Sequence, residues 1–313
     1  MSDQKKGVAN LGIFVADLAF RADRLPAIGE TIIGKGFIMG PGGKGANQAV
    51  ASARAGAKVS FISKIGKDSF GDNALAAWAK DGVTACVTQS TIEPTGAAFI
   101  FVNPETGENA IIVYPGAAGT ITPADVEANA DVIRSAKVFV TQLEQPVDAA
   151  VRGLAIAREA GVTTVFNPAP AAPLPDAIYP LCDYIAPNET EAAMLTGIAP
   201  GNEDDARRAG DILLQRGVGC ALITLGARGA LYHTREKSVI VSAITGGKVI
   251  DTTGAGDAFV GGFTAALSEG LDPIAAVRFG SATAGISITR PGAAASMPKR
   301  AEIDALLATS TPA

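Results

Sequence analysis

The segment Asp251-Thr-Thr-Gly-Ala-Gly-Asp257, continued by Ala-Phe-Val-Gly-Gly-Phe263, decides how this chain is read. It lies between a strand-like run, Gly247–Ile250, and an Ala-rich helical pattern predicted over Ala255–Ser268. Glycines at a helix start let successive backbone N–H groups turn toward an anion, and the helix dipole adds positive potential there. Asp257 closes the loop with no cation beside it in sequence. A carboxylate at that place is ill suited to holding phosphate. It is well suited to taking a proton from a hydroxyl that attacks phosphate. The pattern points to phosphoryl transfer to an alcohol. On its own it reads more simply as a helix start whose acid complements the dipole.

Working outward, runs rich in Val, Ile and Phe alternate with Ala-rich helical segments. Strands are predicted over Val8–Phe14, Val59–Ser63, Val138–Gln142, Thr164–Asn167, Tyr184–Ala186 and Ala221–Thr224. Helices are predicted over Ala46–Ala55, Gly71–Lys80, Val147–Ala160, Glu189–Thr196, Asp204–Arg216, Pro273–Ile286 and Ala301–Ala308, besides the one after Asp257. Such alternation with short connections implies an α/β protein, a mostly parallel sheet covered by helices on both faces. Sheets of this kind bind ligands beyond the carboxyl ends of their strands. Two stretches break the rhythm. Residues 18–39 hold strand-like pieces with no helix between them, and residues 97–113 read as a hairpin around Asn103-Pro-Glu-Thr-Gly107. The simplest assembly folds both into a small β-sheet lid over the active-site edge, so that residues 1–313 form one domain with two excursions. A few strands alone leave an apolar face in need of cover, from substrate, the main domain or a second subunit.

Composition narrows the chemistry. The chain has 313 residues, enough for a large α/β domain. Only 18% of residues are charged and the net charge is −5, with no Lys/Arg cluster that would suit nucleic acid or an anionic membrane surface. No apolar run approaches a membrane span. The N-terminal Met-Ser-Asp-Gln-Lys-Lys lacks the apolar core and cleavage site of a signal peptide. The three cysteines, Cys86, Cys182 and Cys220, are widely spaced in apolar surroundings and read as free thiols of a cytoplasmic protein. The single histidine, His233, excludes His-based triads and His-rich metal sites and reads as structural. Acid–base work falls to carboxylates, lysine or tyrosine.

Gly40-Pro-Gly-Gly-Lys-Gly45 matches G-x-G-x-x-G, yet the preceding Thr31–Met39 is interrupted by Gly34 and Gly36 and resembles a lid strand rather than a buried first strand. Lys44 is followed by Gly, so no Walker A motif is present. Two readings remain for this segment: backbone that approaches a small polar ligand closely, with Asn47 and Gln48 behind it, or a tight turn with a helix start.

Taken in order, Gly42-Gly-Lys-Gly-Ala-Asn-Gln48, Gln142-Leu-Glu144, Asn167-Pro-Ala-Pro170, Pro187-Asn-Glu-Thr-Glu191, Thr224-Leu-Gly-Ala-Arg-Gly229 and Asp251–Asp257 resemble the ribokinase-like (PfkB) family of sugar and nucleoside kinases. The resemblance spans essentially the whole chain. It implies a three-layer αβα sandwich with a β lid, and transfer of phosphate from ATP to the primary hydroxyl of a pentose. It implies Asp257 as the base, with the N–H groups of Gly254, Ala255 and Gly256 around the transferred phosphoryl. Val15, Asp17, Gly42, Gly43, Lys44, Asn47 and Glu144 match the sugar-contacting set. Asn188, Thr224, Gly226, Gly229 and Ser281 match nucleotide-contacting positions, and Asn188 with Glu191 the motif tied to Mg2+. Asp251, Thr253, Ser287, Arg290, Gly292 and Ser296 match the loops that hold K+. The apolar face of the lid sheet, covered by substrate and a second subunit's lid, predicts a homodimer.

One position departs from the family. Members that phosphorylate ribose carry an asparagine two residues before the sugar-binding aspartate, where this chain has Val15. Valine cannot hydrogen-bond a hydroxyl, and a stranded hydroxyl costs ~1–3 kcal/mol. Related deoxyribose kinases are also apolar there. Ribose remains the first expected acceptor because Gly42–Gln48 and Gln142-Leu-Glu144 are intact, with 2-deoxyribose the second and a nucleoside or other furanose the third. Two readings of other classes are a sugar-binding regulator, which has no need of Asp257, and a nicotinamide oxidoreductase, suggested only by Gly40–Gly45.

Overall fold

The computed structural model describes residues 7–310; the segment on which the absence of a signal peptide was read, Met1–Lys6, lies outside them. In chain order the elements are β1 (Val8–Leu11), β2 (Val15–Arg21), β3 (Gly36–Gly42), α1 (Lys44–Arg54), β4 (Val59–Gly66), α2 (Ser69–Lys80), β5 (Val83–Ser90), β6 (Thr95–Val102) and β7 (Asn109–Gly116). There follow α3 (Pro123–Glu127), α4 (Ala130–Ser135), β8 (Val138–Thr141), α5 (Val147–Glu159), β9 (Thr163–Phe166), β10 (Tyr184–Ile185), α6 (Glu189–Thr196) and α7 (Glu203–Gln215). The last are β11 (Cys220–Thr224), β12 (Ala230–His233), β13 (Ser238–Val241), α8 (Ala255–Glu269), α9 (Pro273–Ser287) and α10 (Arg300–Thr309).

Nine strands form the central sheet in the order β13-β12-β11-β10-β9-β8-β1-β4-β5. All its pairs are parallel except those of the β11-β12-β13 edge. Alternate side chains of each strand enter different helical layers. Val138 and Val140 of β8 join the apolar cluster that holds α1, α8 and α9, while Phe139 joins the one that holds α3, α5 and α7. Burial on both faces explains why these strands read as continuous apolar runs. His233 ties the β12–β13 hairpin to α7, its ring nitrogens bonded to Ser238 Oγ and Asp211 Oδ1, each at 2.9 Å.

The second sheet, β3-β2-β6-β7, has four strands. It is wider than the excursions predicted, because β2 and β6 begin at Val15 and Thr95 and β3 and β7 end at Gly42 and Gly116. The predicted Val8–Phe14 strand is thus shorter than expected: β1 ends at Leu11 in the core sheet, residues 12–14 connect, and β2 starts at Val15 in the small sheet.

Gly247–Ile250 is not a strand. The segment between β13 and α8 is a loop held against α9, with Gly246 N–H donating to Gly285 O at 3.1 Å and Ile250 N–H to Ile288 O at 2.8 Å. Ile250 is thus bonded to a helix end, and Val249 and Ile250 are exposed, so the run neither pairs nor packs as a strand. Helix α1 begins at Lys44, two residues earlier than predicted, which puts the lysine in the first turn. Several elements were not predicted, among them α3, α4, β5, β12 and β13. Edge strand β5 carries exposed Thr84, Thr88 and Gln89, and β13 is four residues long. No helix of the described residues is long and apolar enough to cross a membrane.

Candidate active site

The carboxyl ends of β9, β10 and β11 open onto one cleft, which the N-terminus of α8 and the start of α1 close from the other side. Asp257 sits in the first turn of α8 and is 7% exposed. What sets its place is the packing of α8 on α1. At Gly261 a Cβ would come within 2.4 Å of the Ala51 methyl, so only glycine allows the helices this close. Ser52 Oγ donates across the seam to Gly261 O at 3.0 Å. One turn earlier, the same seam brings Asn47 and Gln48 to Asp257. Asn47 Nδ2 donates to Oδ2 at 3.0 Å, and Gln48 Nε2 to Oδ1 at 3.1 Å.

Burial pushes the Asp257 carboxyl up, and the nearby Lys44 ammonium and the two amide donors oppose it. No cation adjoins Asp257 in sequence, but the fold supplies Lys44 from α1. Glu144, after β8, accepts from Lys44 N–H at 2.7 Å. Burial raises its pKa to about 7, opposed by Lys44 and assisted by Asp257 and Asp17. Burial likewise raises Asp17, on β2, to about 6. The Asp17 carboxylate lies against Gly42, where a Cβ would fall 2.2 Å from Oδ1, so any side chain at 42 would displace it. Gly43 is the N-cap of α1. Buried Asn47 Oδ1 has no partner among the described residues, an acceptor left for something else. Val15 stands on the same face of β2 as Asp17, two residues deeper, but is 3% exposed and packed in an apolar cluster with Ala98 and Ile13.

The rest of the expected set divides. Gly254 is the N-cap of α8 and Gly256 is exposed at the cleft. The Ala255 N–H, one of three expected to face the anion, donates instead to Thr252 O at 3.1 Å in a turn. Asn188 and Glu191 form a capping box on α6. Asn188 Oδ1 accepts from Glu191 N–H, and the Glu191 oxygens accept from Asn188 N–H and Nδ2 at 2.8 and 3.0 Å. Glu191 is buried, which raises its pKa. Thr224 ends β11 and lines the cleft; Gly226 is exposed one turn further on, and Gly229 O accepts from Leu225 N–H at 2.8 Å, closing that turn. Ser281 is buried within α9 and does not line the cleft.

Asp251 joins two loops: Oδ1 accepts from Thr253 N–H at 2.9 Å and Oδ2 from Gly292 N–H at 2.8 Å. These bonds hold its pKa below the usual carboxylate range despite partial burial. Ser287 and Ser296 are buried nearby, their hydroxyls donating to Ala284 O and Ala293 O. The Arg290 guanidinium turns away to pair with Glu302, leaving only its backbone toward the loop. Sequence reasoning missed the amide network behind Asp257. Gln48, Gln142 and Asn167 stand inside quoted motifs, but nothing in their spacing shows that they converge.

A doubly covered parallel sheet, a separate β-sheet and a cleft holding a buried acid at a helix start together define an ATP-dependent sugar kinase. Residues 5–300 match the pfkB family carbohydrate kinase model, and the chain belongs to that family. It is 40% identical to the ribokinase of Haemophilus influenzae over 299 residues, 95% of this chain and 97% of that one. It is 34% identical to the deoxyribokinase of Salmonella typhi over 293 residues, 93% and 95% of the two chains. The structure of Arabidopsis thaliana ribokinase complexed with ribose and ATP superimposes with a TM-score of 0.91 at 30% identity, covering 98% of this chain and all of that one.

Proposed function

We propose that this enzyme converts ATP and D-ribose to ADP and ribose 5-phosphate, with Asp257 as the base. The observation that carries the proposal is the Asp257 carboxylate, buried at the helix N-terminus that faces the cleft and gripped on both oxygens by amide donors. The sugar's 5-hydroxyl gives its proton to Asp257 while its oxygen attacks the γ-phosphorus, and ADP leaves on the opposite side. Gly254 and Gly256 N–H groups meet the transferred phosphoryl, and Lys44 offsets its charge. Asp17, Asn47 and Glu144 hold the sugar hydroxyls, Gly42 and Gly43 letting the backbone approach. Thr224, Gly226 and Gly229 border the nucleotide; Ser281, behind that region, supports it.

Asn188 and Glu191 fit a hydrated Mg2+. Their oxygens are hard donors at the cleft, and the capping box leaves each Glu191 oxygen a second lone pair. Mg2+ neutralises phosphate charge when bound. The Asp251 carboxylate, with Thr253, Gly292 and the carbonyl-rich 287–296 loop, fits a K+ that would stiffen the turn before α8. We read residues 1–313 as one catalytic unit in which the small sheet closes over the sugar. The face of that sheet opposite Asp17 exposes Phe20, Phe37, Met39, Ile112 and Tyr114, and we assign it to a second subunit. The free thiols of Cys86, Cys182 and Cys220 suit a cytoplasmic enzyme.

A second reading is favoured by one observation. Val15 puts an apolar side chain on the Asp17 face, so 2-deoxyribose competes as acceptor. A coupled ADP-release assay with Mg-ATP and a panel of ribose, 2-deoxyribose, fructose and adenosine, in K+ and in Na+, tests both. Highest kcat/KM on ribose supports the first reading; preference for another acceptor removes it.

A further inference from the structure

The buried amides behind Asp257 form a hydrogen-bond chain whose direction is set at its ends. Asn10 Nδ2 donates to Gly45 O at 3.1 Å, and Asn167 Nδ2 to Ala186 O at 2.8 Å. A backbone carbonyl can only accept, so both asparagines must present nitrogen outward and Oδ1 inward. Asn10 Oδ1 then accepts from Gln142 Nε2 at 3.2 Å. Gln142 Nε2 also donates to Gln48 Oε1 at 2.6 Å. With its oxygen fixed toward Gln142, Gln48 turns Nε2 to Asn167 Oδ1 at 3.0 Å and to Asp257 Oδ1 at 3.1 Å. Asn10, Gln48 and Gln142 are each 0% exposed, so losing a partner leaves a buried polar group unsatisfied. Reversing the Gln48 amide would set Oε1 against both the Asp257 carboxylate and Asn167 Oδ1.

We propose that Gln48 is a positioning residue for the Asp257 base and that Gln142 fixes which end of the Gln48 amide faces it. The proposal rests on Asp257 being the base. Gln48 acts through Asp257 in two ways. Holding Oδ1 leaves one orientation of the carboxylate for the incoming hydroxyl, and donating to the ionised form keeps the base unprotonated. The other charged groups that share the cleft with Asp257 are Lys44 from α1, Glu144 after β8 and Glu191 from α6, with Asp17 of β2 beside Glu144. None of them bonds Gln48, so changing Gln48 alters the donor to Asp257 without removing a charge.

The test compares kcat, KM and the kcat–pH profile of Gln48→Met, Gln142→Met and Asp257→Asn with the unaltered enzyme. In Gln48→Met, kcat should fall about tenfold or more while KM for sugar and ATP stays within about threefold. Its acid limb should move to higher pH, because the ionised base has lost a donor. Gln142→Met, which does not touch Asp257, should move the limb in the same direction by less. A merely structural role would lower activity without moving the limb, and an unmoved limb in folded variants overturns the proposal. Loss of activity in Asp257→Asn with no effect at Gln48 would sink the relay alone; retained activity in Asp257→Asn would sink the base assignment itself. Should neither methionine variant fold, the unaltered enzyme decides. The Gln48 side-chain amide resonance must titrate with the midpoint of the acid limb, and a flat response overturns the idea.

Discussion

Asn47 Nδ2 lies 3.0 Å from Asp257 Oδ2, two side chains 210 positions apart that the packing of α1 on α8 brings together. Asn47 bonds the base with its nitrogen and leaves its oxygen buried and free. One side chain thereby borders both the acid and the space for the acceptor.

Replacing Asp257 with Asn keeps the volume and removes the proton acceptor. We expect kcat to fall at least ~100-fold, with sugar and ATP dissociation constants nearly unchanged. Steady-state kinetics with calorimetric binding checks this, and near-normal turnover at saturation would show that another group is the base.

The bond from Gly292 N–H to Asp251 Oδ2 ties the loop before α8 to the loop after α9. A monovalent cation held between them would fix the turn that presents Gly254 and Gly256. Activity should rise several-fold when K+ replaces Na+ at constant ionic strength. Equal rates in the two salts would remove the K+ site.

Val15 shares its strand face with Asp17 but is packed among apolar neighbours. An asparagine there would give a sugar hydroxyl a partner and would have to fit beside Ala98 and Ile13. The 2-deoxyribose-to-ribose ratio of kcat/KM should be higher in the unaltered enzyme than in Val15→Asn, by about tenfold for one hydrogen bond. An unchanged ratio in an active variant would mean that Val15 only packs.

Glu144 carries a pH signature in the ligand-free protein. Its folded pKa of about 7 stands above the ordinary 4.5, so between those values the folded protein keeps a proton that the unfolded chain releases. Stability contributed this way is present below pH 4.5 and is lost as the pH rises through about 7. Asp17, raised from 3.8 to about 6, acts in the same direction. The melting temperature should therefore fall across this window, and Glu144→Gln should flatten the fall. An identical slope in the variant would contradict the burial argument.

The exposed residues Phe37 and Ile112, on the face of the small sheet away from Asp17, should meet a second copy. Light scattering at micromolar concentration should give a dimer, and Phe37→Asp with Ile112→Glu a monomer. A monomeric unaltered protein would count against that use of the face.

The layered sheet was legible because strands buried on both faces are apolar throughout, and helices between them carry Ala-rich patterns. Gly247–Ile250 misled because Val and Ile next to a glycine look like a strand whether the neighbour is another strand or the end of α9. The small sheet was legible from Asn103–Gly107, but its edges were not. Val8–Phe14 read as one strand, and only the structure shows the chain leaving one sheet for the other between Leu11 and Val15. Asp257 and the glycines before it were visible as a local pattern. The amides that orient the acid were not, since Asn10, Gln48, Gln142 and Asn167 each look like ordinary polar residues until folding brings them within hydrogen-bond reach.

The position of β1 between β8 and β4 bears on how the polypeptide leaves the ribosome. Val8 pairs with Val59 on one side and Val138 on the other. β1 therefore becomes a central strand, and one of its edges stays bare until β8 has been synthesised. At the usual ~5–20 residues per second, that wait is on the order of ten seconds. During it, the four strands of the small sheet have already appeared, with their exposed aromatic and aliphatic side chains. The nascent chain thus has a defined interval in which it exposes most apolar surface, ending when the second half of the sheet arrives.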